Sequence, residues 1–170
     1  MYDRVSRKIQ SAIKKRNYSR TYTISAGTLQ DNLSGITYEE IMNDTEFAMF
    51  QAKRNGRDQM VFFSQPDYRK YIKNIHTREV LRQSIRDGFK GFEVFYQPII
   101  SENGCKLEGA EALLRYKDPD GNNIAPVDMI PILEESSMII PVGAFVLDDA
   151  ARTCSEWRKL VPNFKINVNL

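Results

Sequence analysis

The sequence predicts an α/β protein whose N-terminal part has a mixed α+β organisation, and two features of the apolar pattern support this class. Up to about residue 63, stretches with helical spacing alternate with short apolar runs, which indicates the order helix, strand, helix, strand. After Gly91 the apolar period changes to two, and it returns to helical spacing after Pro126. With 42% apolar and 27% charged residues among 170, the composition is that of a folded globular protein.

Two helices and two strands are predicted in the first 63 residues. A capping box, in which Thr37 and Glu40 would exchange hydrogen bonds, marks the start of the second helix, and Gly56 marks its end. Gly27 is expected to end the first strand. The predicted elements in order are an amphipathic basic helix over residues 2–17, a strand over 21–26, a helix over 37–55 and a strand over 60–63.

A long helix over residues 64–87, ended by Gly88, is predicted between the two parts of the chain. At 1.5 Å per residue it would span roughly 30 Å, which is long enough to join two domains. The charge also changes near this helix, because residues 1–75 carry a net charge of +5 and residues 76–170 a net charge of −3. The predicted divisions are residues 1–63, a linker helix at 64–90, and residues 91–170.

The C-terminal part is predicted to begin with a β-hairpin, because Asn103-Gly104 is a strong two-residue turn signal between two apolar runs of period two. Pro126 and Pro141 stand at the expected starts of two helices. The elements predicted in order are strands over residues 92–101 and 106–116, a turn over 118–121, helices over 126–135 and 141–159, and a strand over 164–170.

The second strand of this hairpin carries an unusual pair of charges. Alternation places Glu111 and Arg115 on one face with Leu113, among small apolar residues. The two charged residues would lie about 13 Å apart along the strand, so they cannot pair with each other. Because a charge among apolar residues is costly unless it is paired or bound to a cation, each needs another partner. Spacing alone leaves a structural ion pair and a functional site equally open.

Several motifs, in order from about Val80 to Leu170, resemble those of the EAL family of bacterial phosphodiesterases that hydrolyse cyclic di-GMP. The residues from Glu111 to Arg115 are similar to the signature that names the family. The accompanying matches are Tyr96-Gln97-Pro98, the helix from Pro126, Glu134-Glu135-Ser136, Trp157 and Val168-Asn169-Leu170. Tyr116, where the family usually has Trp, and Ser137, where Gly is common, are mild departures.

The resemblance implies a fold and a set of site residues. Residues 91–170 would form the first part of an EAL-type (βα)8 barrel. Glu111 and Asn169 would be catalytic residues and ligands of Mg²⁺ or Mn²⁺, which prefer such oxygen donors. Gln97 and Arg115 would bind the guanine and phosphate parts of cyclic di-GMP. The non-functional alternatives are a buried ion pair for Glu111 and an ordinary strand-end residue for Asn169.

The N-terminal part is similar to the closing third of a GGDEF domain. The matches are residues 21–28, Phe47-Ala48-Met49-Phe50-Gln51-Ala52-Lys53 and Gly56-Arg57. The resemblance implies a palm-like α+β piece, in which Lys53 and Arg57 match positions that touch nucleotide phosphates. The GGDEF signature itself is absent from the sequence, so cyclase activity is not expected of this chain. Lys53 and Arg57 are therefore interpreted as vestigial contacts or as surface charges.

Taken together, the resemblances favour a cyclic di-GMP phosphodiesterase that yields linear pGpG, within a GGDEF–EAL tandem protein of which this chain is a fragment. The alternatives are a non-catalytic cyclic di-GMP receptor and a regulatory scaffold. The 170 residues alone are expected to be inactive, because a complete barrel needs about 200–250 residues. Open strand edges would favour self-association, so a homodimer is one expected assembly.

The composition excludes some other classes of protein. The net charge of +2 is too small to indicate binding to nucleic acid or to an anionic membrane. The sequence has no run of 18 apolar residues, so a membrane-spanning helix is not expected. Two cysteines, Cys105 and Cys154, lie far apart and in no metal-ligand spacing, which favours a reduced, cytoplasmic protein.

Overall fold

The computed structural model describes residues 1–16, 22–30, 35–101 and 106–169. Contacts divide the chain into two compact units, Met1–Ile72 and Lys73–Leu170, and the division falls within the third helix. The elements in chain order are α1 (Tyr2–Lys15), β1 (Ala26–Thr28), α2 (Tyr38–Arg54), β2 (Met60–Phe62), α3 (Gln65–Arg86), β3 (Phe92–Ile100), β4 (Leu107–Lys117), β5 (Asn123–Ile124), α4 (Pro126–Glu135), α5 (Ile139–Arg158) and β6 (Lys165–Val168).

In the first unit, β1 pairs in parallel with β2, and Gly27 lies opposite Val61. The prediction that Gly27 ends the first strand is wrong, because the strand begins at Ala26 and includes this glycine. A Cβ atom at Gly27 would collide with the backbone of α2, at the Thr45 carbonyl oxygen and the Met49 amide nitrogen. Glycine is therefore present for the close approach of helix and strand rather than for a turn.

The start of α2 confirms the predicted capping box. The Thr37 amide donates to Glu40 Oε2 at 2.8 Å, and the Glu40 amide donates to Thr37 Oγ1 at 3.3 Å. The backbone hydrogen bond from Thr37 lowers the pKa of the Glu40 carboxyl. The helix ends at Arg54, and Gly56 follows with φ of +104°, as its role as a stop signal predicts.

In the second unit, β3 and β4 form an antiparallel hairpin, and β6 joins the other side of β4 in parallel. The predicted Asn103-Gly104 turn lies outside the described residues. Between the end of β3 and the start of β4, the Ser101 amide donates to the Lys106 carbonyl at 2.9 Å. The short strand β5, which pairs with the end of β4, was not predicted. Two residues are too few to show an alternating pattern.

Helices α3, α4 and α5 contribute the apolar core of the second unit, which covers one face of this sheet. Helix α4 continues through Pro131, as predicted. Helix α5 begins at Ile139, two residues before the predicted start, so Pro141 lies in its first turn, where a missing N–H is tolerated. The buried members of the main cluster are Leu81, Phe92, Tyr116, Met129, Ile132, Leu133, Met138 and Val142.

The connection between α3 and the sheet includes one buried polar contact. The hydroxyls of Ser84 and Tyr116 lie 2.6 Å apart, and both residues are buried. Since a buried hydroxyl is costly without a partner, this bond satisfies both groups. None of the described helices is both long enough and apolar enough to cross a membrane.

Candidate functional site

The candidate site lies on the sheet face opposite α5. Ala112 and Leu114 pack towards α5, in a cluster with Val146 and Ala150. Ala112 is 4% exposed, whereas its neighbour Glu111 is half-buried. The strand alternation therefore places Glu111 on the face away from the helix, together with the side chains two and four residues further along, as predicted.

The strand register aligns further side chains on this face. Gln97 of β3 lies directly opposite Glu111, and Asn167 of β6 lies opposite Glu111 on the other side. Because residues paired across neighbouring strands point to the same face, the carboxylate lies between two amide-bearing residues. The register thus brings predicted site residues from β3 and β4 together and adds Asn167 from β6.

The structure gives Glu111 an amide partner. Asn169, which directly follows β6, donates its side-chain Nδ2 to Glu111 Oε1. These two predicted residues, 58 positions apart in the chain, are therefore in direct contact. Among the described residues, the partner that the structure shows for the Glu111 carboxylate is thus the amide of Asn169.

Arg115 lies at the end of the same face, about 13 Å from Glu111 at strand spacing. Its Nη1 donates to the backbone carbonyl of Leu114 at 2.9 Å, and the residue is half-buried. Glu93 of β3 is its cross-strand neighbour. Arg115 thus lies on the same face as Gln97 and Glu111, and the cross-strand pair of Phe95 and Leu113 separates it from Glu111.

The donor atoms on this face suit a divalent cation. Glu111 supplies carboxylate oxygens, and Asn169 and Gln97 carry amide oxygens, which are the hard ligands that Mg²⁺ and Mn²⁺ favour. Within the described residues there is no cluster of three or more His, Cys, Asp or Glu side chains that could hold a metal by themselves. The residues fit such an ion by chemistry, and their number falls short of a full ligand set.

The reverse side of β3 is fixed to α5 beneath the site. Tyr96, the neighbour of Gln97, donates its hydroxyl to Asp149 Oδ1 at 2.5 Å. Its ring meets Trp157 edge-on at 5.1 Å between centroids. Burial first, and then the hydrogen bond to Asp149, raise the pKa of Tyr96 to about 12. Tyr96 therefore anchors the strand that presents Gln97.

The two predicted phosphate contacts lie in the first unit, at the end of α2. Lys53 is exposed in the last turn of the helix. Arg57 follows the helix with a left-handed φ of +62°, and its amide donates to the Ala52 carbonyl at 3.0 Å. Both side chains are thus presented at the same end of one helix.

Sequence reasoning did not single out Asn167, Asp149 or Phe95. The signal for Asn167 was available, since it lies two residues before Asn169 in a strand and must share its face. Phe95 similarly shares the face of Gln97. The contact of Asp149 with Tyr96 could not be found in this way, because it joins a strand to a helix 53 residues away.

Comparison with known families decides the assignment. The model of the EAL domain matches residues 78–170, which is more than half of the chain. The chain belongs to the EAL domain family. Its second unit contains the whole of this match, including β3, β4 and β6 with the candidate site.

Some curated relatives of the chain carry names of cyclic di-GMP enzymes. The chain is 30% identical over 130 residues to the cyclic di-GMP phosphodiesterase PdeR of Escherichia coli, covering 76% of this chain and 19% of the relative. It is 32% identical over 124 residues to the bifunctional diguanylate cyclase/cyclic di-GMP phosphodiesterase MucR of Pseudomonas aeruginosa, covering 72% and 18%. The chain thus spans about a fifth of the length of these relatives.

Two solved structures have a similar fold. The phosphodiesterase PaMucR in complex with c-di-GMP has a TM-score of 0.50 at 32% identity, over 56% of this chain and 38% of that chain. The EAL enzyme Bd1971 in its cAMP-bound form also has a TM-score of 0.50, at 29% identity, over 62% of this chain and 30% of that chain. The similarity supports the mixed α/β architecture of an EAL domain.

Proposed function

We propose that this chain forms part of a cyclic di-GMP phosphodiesterase that hydrolyses its substrate to linear pGpG with the help of Mg²⁺ or Mn²⁺. The observation that carries the proposal is the contact of Asn169 with Glu111, on the sheet face that also holds Gln97 and Arg115. Family membership and the names of the relatives PdeR and MucR support the substrate.

Each of the four residues has a role that its chemistry suits. Glu111 and Asn169 would hold the cation through their side-chain oxygens, once the Asn169 amide flips so that Oδ1 takes the position that Nδ2 holds beside Glu111. A bound divalent ion would supply charge stabilisation and an activated water for attack on a phosphodiester. Gln97 would exchange hydrogen bonds with guanine, and the Arg115 guanidinium would pair with a phosphate.

We further propose that residues 1–63 are the C-terminal portion of a GGDEF domain and that residues 64–90 are a linker helix. The alignment with MucR, a bifunctional cyclase/phosphodiesterase by name, covers 72% of the chain and is consistent with this arrangement. Lys53 and Arg57 would then be vestigial phosphate contacts. A cytoplasmic location and a homodimer are parts of the same proposal.

A receptor that binds cyclic di-GMP without cleaving it is the second candidate function. One observation favours it, namely that the described residues contain no group of three carboxylates, histidines or cysteines near a common point. Binding through Gln97 and Arg115 needs no complete metal cluster, whereas hydrolysis by a two-metal site does.

An assay of pGpG formation, in a protein that carries this chain within a complete EAL domain, tests the proposal. We expect turnover that depends on Mg²⁺ or Mn²⁺ and falls at least 100-fold in Glu111→Gln, because the substitution removes a charged metal ligand. Glu108→Gln, an exposed change near the start of the same strand, is the matched control and should retain activity. Intact binding with no turnover would reject the enzyme and leave the receptor.

A further inference from the structure

A large aromatic side chain lies exposed on the face that carries the candidate site. Phe95 of β3 is 54% exposed, although the neighbouring rings of Tyr96 and Phe92 are packed against other aromatic side chains. Alternation places Phe95 on the face of Gln97, two residues further along the strand. An exposed phenyl ring among polar site residues suggests contact with a ligand rather than a role in the apolar core.

The register places Phe95 between the two polar parts of the site. Phe95 is paired with Leu113, while the pair Gln97–Glu111 lies on one side of it and the pair Glu93–Arg115 on the other. Successive pairs on one face are about 7 Å apart along the strand. A ligand that reaches from Glu111 to Arg115 must therefore pass over the apolar surface of Phe95 and Leu113.

We propose that Phe95 is the stacking surface for a guanine base of the bound dinucleotide. This inference rests on the proposed function and adds a specificity-determining residue to it. A purine base presents a flat face to an aromatic ring, and such stacking is favourable for single bases in proteins that bind nucleotides. A guanine stacked on Phe95 would lie next to Gln97, which is two residues further along the same strand and could bond to the polar edge of the base.

A different role for Phe95 is to fill the interior of a barrel, where layers of bulky side chains pack together. The two roles make different demands on the side chain. A filler requires apolar volume, which leucine also supplies, whereas stacking requires an aromatic ring. Phe95→Leu and Phe95→Tyr therefore separate them.

The test is an NMR titration of the 170-residue chain with cyclic di-GMP, which measures the affinity and the chemical shift of the guanine H8 proton. We expect H8 to move upfield on binding, because it would lie over the ring of Phe95. Phe95→Tyr should keep this shift, and Phe95→Leu should abolish it and weaken binding about tenfold. Phe62→Leu, at a ring that is 48% exposed in the first unit, is the matched control.

The outcomes distinguish this inference from the function on which it rests. If the chain binds cyclic di-GMP and Phe95→Leu keeps both the affinity and the H8 shift, the stacking role is wrong and the proposed function stands. If the unmodified chain does not bind cyclic di-GMP, the proposed site on this chain is wrong and the stacking role falls with it. A thermal melt of each variant identifies any loss of binding that is due to unfolding.

Discussion

Glu111 and Asn169 can meet only if β4 and β6 approach closely, and Gly109 is the residue that permits this. A Cβ atom at Gly109 would collide with the backbone carbonyl of Lys165, its partner in β6. The backbone cannot give way as the end of a side chain can, so a larger residue would have to push the strands apart. The geometry of the site therefore depends on a residue that carries no functional group.

Gly109→Ala should destabilise the second unit by about 1–3 kcal/mol, the usual cost of overpacking. A loss of stability would be informative, since replacing glycine by alanine within a strand otherwise leaves the free energy of unfolding unchanged or raises it. Urea unfolding measures the effect, and Glu108→Ala at the exposed neighbouring position should change the free energy of unfolding by less than about 0.5 kcal/mol. An unchanged stability of Gly109→Ala would contradict the close approach.

The hydroxyl of Tyr96 makes a pH-dependent contribution to stability. Its pKa is about 12 in the folded chain and about 10 in an unfolded one, because burial and Asp149 disfavour the phenolate. The contribution is therefore fully present below pH 10 and is lost as the pH rises to 12, since the unfolded chain ionises first.

Tyr96→Phe should lower the free energy of unfolding by about 1 kcal/mol at pH 8, through loss of the hydrogen bond to Asp149. It should also reduce the loss of stability between pH 10 and pH 12. Chemical unfolding at several pH values measures both effects. Tyr22→Phe, at an exposed tyrosine, is the control, and an identical pH profile for the two variants would contradict the assignment.

Among the elements, α3 is joined to the strand of the site by the buried pair of Ser84 and Tyr116. Tyr116→Phe would leave the Ser84 hydroxyl buried without this partner, at a cost of about 1–3 kcal/mol. Adding Ser84→Ala removes the orphaned group, so the double variant should be more stable than the sum of the single effects predicts. A double-mutant cycle measured by thermal unfolding checks this, and strictly additive effects would mean that the bond contributes nothing.

The sequence predicted the helices and the long strands best, because the signals for these elements lie in neighbouring residues. The capping box at Thr37 and the glycine after α2 are local signals, so α2 could be predicted from neighbouring residues alone. The role of Gly27 was wrongly predicted, because the backbone that a side chain at this position would meet belongs to α2, almost 20 residues later. The two-residue strand β5 depends on pairing with β4 and carries no pattern of its own.

Part of the candidate site could be predicted from a single strand, because alternation along it places Glu111 and Arg115 on the same face. The resemblance to a family added Gln97 and Asn169. The contact of Asn169 with Glu111 and the position of Phe95 between two polar pairs depend on the register of separate strands. Register is set by pairing across the sheet, which a single strand's pattern does not specify.

At the scale of the whole molecule, the proposed cation-dependent dinucleotide site occupies one face of the sheet in the second unit. Around Asn169, the described residues on this face offer the Glu111 carboxylate and a few amides, while the second carboxylate of the face, Glu93, lies further along it beside Arg115. Those ligands suit binding, but a two-metal centre needs several more oxygen donors. The 170-residue chain by itself should therefore bind cyclic di-GMP in a way that Mn²⁺ strengthens, without producing pGpG.

The most direct test is a titration of the 170-residue chain with cyclic di-GMP, with and without Mn²⁺, in parallel for Glu111→Gln and Glu108→Gln. We predict that Mn²⁺ increases the affinity of the unmodified chain and of Glu108→Gln, and that Glu111→Gln loses this increase. Chromatography of the mixtures should show no pGpG. An effect of Mn²⁺ on affinity that is the same in Glu111→Gln as in the unmodified chain would contradict the central claim that Glu111 holds the cation.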